Sequence, residues 1–102
     1  MKSYWTYILT NSTNKVLYIG VTNNLHRRIA EHKSCTIDGF TKKYQLKKLV
    51  WFQEFSSPVD AIACEKMVRG WLRSKKEELI NKMNPGWNDL AEDIDSSASA
   101  SE

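Results

Sequence analysis

Seven residues of this sequence have types or positions that suit chemistry: Tyr7, Tyr18, Gly20, Arg28, His32, Glu65 and Asn88. Arg28 and His32 stand four residues apart, a spacing that places both on one face of a helix. A guanidinium offers paired donors to an oxyanion, and an imidazole exchanges a proton near neutral pH. Each residue also has a plain structural interpretation, because strand tyrosines usually pack and charged helix faces are usually solvated.

Glu65 lies beside the apolar stripe of a predicted helix, three residues before Val68 and seven before Leu72. A carboxylate in that position needs a cation or a hydrogen-bond donor, because burying it unpaired is costly. One candidate partner is Arg69, one helical turn further on. The other is a divalent cation, since Mg²⁺ is often held by one carboxylate together with water and phosphate oxygens. Both interpretations stay open at this point.

The pattern of apolar and polar residues predicts the elements that would position these side chains. Two runs rich in aromatic and β-branched residues, over 4–10 and 16–21, predict strands, and the short polar turn between them predicts an antiparallel hairpin. The hairpin would bring Tyr7 and Tyr18 towards each other. Three residues with capping side chains then precede a predicted helix over 25–33, with Leu25 and Ile29 facing inward.

A loop over 34–41 and a basic stretch over 42–48, which predicts no particular element, separate this half from a third predicted strand over 49–55. Ser57 and Pro58 predict the start of a helix. Residues at helical spacing predict its buried face: Ala61, Cys64, Val68, Trp71 and Leu72.

A last helix is predicted from Ser74 to Met83, with a capping box formed by Ser74 and Glu77. The residues 84–88 would end it. The resulting order β-β-α-β-α-α predicts an α+β fold, with a small three-stranded antiparallel sheet flanked by helices.

Composition predicts one domain over residues 1–90 and an acidic tail over 91–102, disordered where it becomes rich in serine and alanine. The tail holds four of the 12 acidic residues, which leaves 15 basic against 8 acidic residues, a net charge of +7, on residues 1–90. Such an excess favours a polyanionic partner, although many basic domains bind none. The sequence contains no long apolar run, signal peptide or cysteine framework, which predicts a cytoplasmic protein without membrane association.

Taken in order, these residues resemble the GIY-YIG endonuclease domain over residues 3–90, and in particular its small stand-alone bacterial members. Tyr18-Ile19-Gly20 corresponds to the second signature triplet, and Trp5-Thr6-Tyr7 occupies the first, keeping its tyrosine but not its leading glycine. The two tyrosines are 11 residues apart, and Arg28 follows Gly20 by eight residues, as in the family. Glu65 matches the family's metal-binding glutamate and Asn88 its terminal asparagine.

The resemblance implies hydrolysis of a nucleic-acid phosphodiester bond, with DNA as the expected substrate and one Mg²⁺ or Mn²⁺ ion as cofactor. Tyr18 would deprotonate or orient the attacking water, with Tyr7 hydrogen-bonded nearby, and Arg28 would hold phosphate oxygens. The roles it implies are catalytic for Tyr7, Tyr18, Arg28, His32 and Asn88, and metal-binding for Glu65.

Substrate affinity would come from the domain's own backbone at Gly20 and from its basic side chains. The candidates are Arg27, Lys42, Lys43, Lys47 and Lys48, followed by Arg73, Lys75 and Lys76. Binding through such residues is salt-sensitive and reads the shape of the nucleic acid more than its sequence. Val21 stands where some DNA-repair relatives carry a lysine.

That departure keeps two alternatives open. One is a nucleic-acid-binding module with weak or no turnover. The other is a protein-interaction domain in which these residues only pack, and one of the four tryptophans anchors a protein partner.

Overall fold

A three-stranded antiparallel sheet in the order β2-β1-β3 forms the centre of the protein, in a computed structural model that describes residues 2–34 and 39–91. The elements are β1 (Tyr4–Thr10), β2 (Leu17–Thr22), α1 (Leu25–Lys33), α2 (Phe40–Lys43), β3 (Lys48–Phe55), α3 (Pro58–Arg69) and α4 (Arg73–Met83). The predicted α+β class and the hairpin of β1 and β2 are confirmed. The predicted tail disorder and Cys35 lie outside the described residues. Within the described residues, no helix is long and apolar enough to cross a membrane.

The sheet separates two apolar clusters, one on each face. On one face, α1 contributes Leu25 and Ile29, which are 3% and 4% exposed, as predicted, and pack with Tyr7 and Leu9 of β1. On the other face, α3 and α4 pack against the sheet. The buried cluster between them contains strand side chains together with one from each helix: Ile8, Ile19, Val50, Trp51, Val68 and Ile80. Because successive strand residues point to opposite faces, β1 holds Tyr7 towards α1 and its neighbour Ile8 towards α3.

A short helix, α2, occupies part of the predicted loop and of the basic stretch. It begins after Gly39, whose φ of 101° suits glycine. The backbone N–H of Leu46 then donates to the carbonyl of Thr41 at 2.9 Å, and both side chains are buried. A helix of four residues is too short to show a helical period in the sequence. The position of α2 is instead fixed by the burial of Leu46, which follows it.

The helix α3 ends earlier than its apolar spacing predicts. Ser57 caps its start as expected, accepting a hydrogen bond from the N–H of Val59 at 3.2 Å, and Ala61 and Val68 are buried. Gly70 closes it, so Trp71 and Leu72 lie beyond its end. The predicted burial of Leu72 is wrong, since this side chain is 79% exposed.

The predicted capping box of α4 is also wrong, because the helix begins at Arg73 and has no side-chain cap. Glu77 accepts a hydrogen bond from Arg73 Nε at 2.8 Å instead of closing a box with Ser74. Arg73 Nη1 also donates to the carbonyl of Lys15 at 2.6 Å. Arg73 therefore ties α4 to the turn between β1 and β2, a contact that local sequence rules do not predict.

The chain after α4 is held by Asn84, which is 5% exposed. Its Nδ2 donates to the carbonyls of Val50 at 3.2 Å and Asn88 at 2.7 Å, and its Oδ1 accepts from the N–H of Asn88 at 3.1 Å. We expect Asn84→Ala to lower the free energy of unfolding by about 1–2 kcal/mol, because it leaves buried groups unpaired. Urea unfolding measures this loss. The exposed side chain of Asn88 makes Asn88→Ala the matched control, and equal losses in both variants would contradict this assignment.

Candidate active site

Three rings from three different elements meet on the α1 face of the sheet. Tyr7 comes from β1, Tyr18 from β2 and His32 from α1, and their ring centroids are 6.3, 6.0 and 6.1 Å apart. Tyr7 Oη and His32 Nε2 are within hydrogen-bond distance, at 3.3 Å. The structure thus brings together three of the residues that the sequence proposes as catalytic.

Gly20 makes room for this cluster. In the strand register it faces Tyr7, and a Cβ atom at this position would lie 2.6 Å from Tyr7 Oη and 2.9 Å from Tyr18 Cε2. No side chain fits at such distances, so the position requires glycine. The predicted close approach at Gly20 is therefore that of the two tyrosine rings.

Burial determines the proton positions in the cluster. It raises the pKa of Tyr7 far above its ordinary value, and neighbouring Tyr18 adds to this, so Tyr7 stays protonated at neutral pH. Burial lowers the pKa of His32 below 6.5, and the positive charge of Arg28 lowers it further. His32 is therefore neutral at neutral pH, with one ring nitrogen as donor and the other as acceptor.

This shift predicts a stability change with pH. Below the ordinary histidine pKa the unfolded chain gains a proton at His32 that the native protein does not bind, so stability falls as pH falls. From about pH 7 to about pH 5.5, His32→Gln should remove a slope of up to about 1.4 kcal/mol per pH unit from the free energy of unfolding. Urea unfolding at several pH values measures it. An unchanged slope in the variant would show that His32 titrates alike in both states.

Arg28 lies beside the rings on α1, one turn before His32. Its side chain is 35% exposed, and its Nε is 3.7 Å from Glu31 Oε1, too far for a hydrogen bond. Nε is nevertheless buried and has no hydrogen-bond partner among the described residues. A buried guanidinium donor without a partner suits an anion that binds from outside the protein.

Glu65 lies on α3, which covers the opposite face of the sheet. Its side chain is only 12% exposed, and its Oε2 lies 2.7 Å from Arg69 Nε, so the ion pair that the sequence offered as one of two alternatives is present. Arg69 Nη2 also donates to the carbonyl of Ile19 on β2 at 3.1 Å. Both Arg69 and Tyr18 line a cleft of about 330 Å³ along β2, which places the Glu65–Arg69 pair on the flank of Tyr18.

Three buried side-chain atoms lack a hydrogen-bond partner within residues 2–34 and 39–91, and all three belong to predicted site residues: Arg28 Nε, His32 Nδ1 and Glu65 Oε2. Glu65 Oε2 belongs to this set because its contact with Arg69 is short but lacks hydrogen-bond geometry. Buried polar atoms are nearly always paired, so three unpaired atoms on these residues point to groups that an external ligand would satisfy.

A divalent metal ion fits Glu65 on this observation, because Oε2 is a buried anionic acceptor whose contact with Arg69 Nε lacks hydrogen-bond geometry. The part of the chain that the structure describes contains no cluster of three or more His, Cys, Asp or Glu side chains. Glu65 would therefore hold Mg²⁺ or Mn²⁺ with one carboxylate, the remaining ligands being water and substrate oxygens.

The other predicted site residues lie apart from the ring cluster. Asn88 is exposed, and its recorded backbone contacts are with Asn84 rather than with the rings. Arg27, Lys42 and Lys43 are exposed on α1 and α2. Lys47 and Lys48 line a separate cleft of about 450 Å³ with Ser12, Lys33, Gln45 and Asp89.

Sequence reasoning missed Lys33 and Asp89, which close one wall of that second cleft. Lys33 Nζ donates to Asp89 and, at 3.1 Å, to the carbonyl of Lys47. Burial alone would raise the pKa of Asp89, but hydrogen bonds from Lys33 and from the N–H groups of Ala91 and Leu49 hold it below its ordinary value. These partners are up to 56 residues distant in sequence, so no local pattern indicates them.

Comparison with known proteins gives consistent matches. The sequence model of the GIY-YIG catalytic domain matches residues 3–79. A UPF0213 protein of Vibrio parahaemolyticus is 30% identical over 80 residues, which cover 78% of this chain and 76% of the relative. A UPF0213 protein of Lactococcus lactis is 40% identical over 65 residues, or 64% and 62% of the two chains. The solution structure of a UPF0213 protein from Bacillus halodurans superposes with a TM-score of 0.56 at 27% identity, covering 86% of this chain and 93% of that one.

Proposed function

Because this chain belongs to the GIY-YIG catalytic domain family, we propose that it is a metal-dependent endonuclease that hydrolyses phosphodiester bonds in DNA. One observation carries the proposal. Arg28 Nε and His32 Nδ1 on α1 and Glu65 Oε2 on α3 are buried without a hydrogen-bond partner among the described residues, and they supply two positions for an anion or proton and one for a cation. A phosphodiester and a divalent ion have the complementary charges.

In this mechanism Tyr18 orients the attacking water, and it takes the proton of that water only as a phenolate, which at neutral pH requires a neighbouring cation. Tyr7 is excluded as the base by its own protonation, because burial raises its pKa far above the working pH. Tyr7 instead shares a hydrogen bond with His32, which fixes both rings beside Tyr18. Tyr18 is half-buried and borders the cleft along β2, so part of this residue is open to solvent.

Arg28 binds the phosphate in the same step. Its planar guanidinium offers parallel donors to two oxygens, and it stabilises the negative charge that grows on the phosphorus-bound oxygens. His32 Nδ1, the second unpaired atom on this face, contacts a phosphate oxygen or passes a proton. Glu65 would hold a divalent ion, which would supply stabilisation of the charge that develops on the leaving group.

The basic surface favours recognition of DNA shape over sequence. Arg27, Lys42 and Lys43 are exposed, and the cleft lined by Lys47 and Lys48 is open. Lysine ammonium groups bind phosphates as point charges, and phosphate contacts carry no sequence information, so we propose branched, nicked or otherwise distorted DNA as the preferred substrate.

Cleavage of labelled substrates tests this function. The panel comprises linear duplex, flap, four-way junction, single-stranded DNA and RNA, each with Mg²⁺, Mn²⁺ or EDTA. We expect metal-dependent cutting, fastest on a distorted DNA and weaker at high salt. Salt-sensitive binding without product would favour the binding module with weak turnover, and neither binding nor cutting would contradict both.

A further inference from the structure

Arg69 has a position that the proposed mechanism does not use. Its guanidinium connects Glu65, through the 2.7 Å contact with Oε2, to the carbonyl of Ile19 on β2, through the 3.1 Å hydrogen bond. The side chain is 62% exposed although its partner Glu65 is nearly buried. The guanidinium is largely in water, so Arg69 can leave Glu65 at small cost when another cation takes its place at the nearly buried carboxylate.

The space next to Arg69 is basic and open. The cleft of about 330 Å³ is lined by Leu17, Tyr18, Ile19, Arg69 and Lys76. It lies along β2, which is an edge strand of the sheet. Within residues 2–34 and 39–91 no hydrogen bond or ion pair holds the ammonium of Lys76. Two positive side chains beside Tyr18 thus face a cleft that is lined by no acidic residue of the described part of the chain.

From this geometry, and resting on the proposed function, we infer that Arg69 exchanges partners during the reaction cycle. In the metal-free protein it neutralises Glu65. When Glu65 holds a divalent cation, Arg69 is released and, together with Lys76, binds a backbone phosphate of the nucleic acid in the cleft beside Tyr18. The two cations would contact a phosphate neighbouring the one held by Arg28.

This exchange makes metal binding and nucleic-acid binding cooperative. Arg69 and a divalent cation both need Oε2 of Glu65, so each weakens the other's contact. A phosphate that binds Arg69 removes this competition, and linkage requires that the metal in turn strengthens phosphate binding by the same factor. Arg69 is a positioning and binding residue in this scheme.

Two binding measurements test the inference without depending on turnover. Electron paramagnetic resonance of free Mn²⁺ gives the metal affinity of the protein alone. Fluorescence anisotropy of a short labelled oligonucleotide with phosphorothioate linkages gives nucleic-acid affinity with and without Mn²⁺. The variants are Arg69→Gln and Lys76→Gln, and the matched control is Lys82→Gln, which removes one exposed positive charge from another face of α4.

We expect Arg69→Gln to bind Mn²⁺ roughly two- to fivefold more tightly, the range for removal of an exposed ion pair. Mn²⁺ should raise the oligonucleotide affinity of the wild type and of Lys82→Gln, and this increase should be lost in Arg69→Gln and reduced in Lys76→Gln. Unchanged or weaker Mn²⁺ binding by Arg69→Gln, or an equal metal-dependent increase in that variant, overturns the inference. If the wild type still cuts the substrate panel in that case, the proposed function stands alone; no Mn²⁺ binding and no cutting would overturn both.

Discussion

Glu65→Gln should lose metal-dependent cleavage by roughly a hundred- to a thousandfold, equivalent to about 3–4 kcal/mol of transition-state stabilisation. The substitution keeps the shape of the side chain but removes the charge of the only carboxylate that the site offers on α3. Glutamine also leaves the fold intact, because Arg69 is exposed and tolerates loss of its partner. Single-turnover cleavage of the best substrate of the panel, with Mg²⁺ and with Mn²⁺, measures the loss.

Glu54→Gln provides the control for the charge change. Glu54 is an exposed carboxylate on β3, opposite Trp5 of β1. Its substitution should leave the cleavage rate within about twofold of the wild-type rate, as is usual for exposed charges. Urea unfolding of both variants separates lost chemistry from lost structure. Wild-type cleavage by a folded Glu65→Gln protein would show that no essential metal ion is held by this carboxylate.

Gly20→Ala should damage both stability and activity, because a single methyl group has no space there. Its Cβ would lie 2.7 Å from Tyr7 Cζ and 2.6 Å from Tyr7 Oη, and Tyr7 is only 2% exposed, so its ring must shift within the core. Overpacking of this kind costs about 1–3 kcal/mol of folding free energy. The shift also separates Tyr7 from His32 and disturbs Tyr18, so cleavage should fall by at least roughly tenfold even where the variant is fully folded.

The comparison with Gly70→Ala shows whether space or glycine flexibility is responsible. At Gly70, the cap of α3, a Cβ would meet its nearest atoms at 3.6 Å, and the φ of −79° suits alanine. Gly70→Ala should therefore be neutral or slightly stabilising in urea unfolding and unchanged in cleavage. A Gly20→Ala protein as stable and active as Gly70→Ala would refute the close contact with Tyr7.

Local sequence determined the part of the site that depends on short spacings. The hairpin predicted from sequence brings Tyr7 towards Tyr18, although their shared face depends on the strand register, and the four-residue spacing in α1 places Arg28 beside His32. The same spacing in α3 pairs Glu65 with Arg69. These relations survive in the folded protein because strand and helix periods are properties of the backbone.

Other features were decided only by tertiary structure. The apolar spacing of α3 extends to Leu72, yet the chain turns at Gly70 and leaves Leu72 exposed. Asn84 has its partner at Val50, 34 residues away, and Arg69 reaches Ile19 at a separation of 50 residues. A period shows which side of an element is apolar, but not which distant element covers it or where a side chain finds a hydrogen bond.

The sequence alone therefore predicted the described elements other than α2, together with the sheet hairpin and the candidate residues, but it placed the end of α3 too late. The tertiary structure decided that one polar atom each of Arg28, His32 and Glu65 is buried without a hydrogen-bond partner among the described residues. It also decided that Arg69 forms an ion pair with the carboxylate of Glu65. Burial and pairing depend on the sum of contacts from all packed elements, and a linear sequence does not contain that sum in any local pattern.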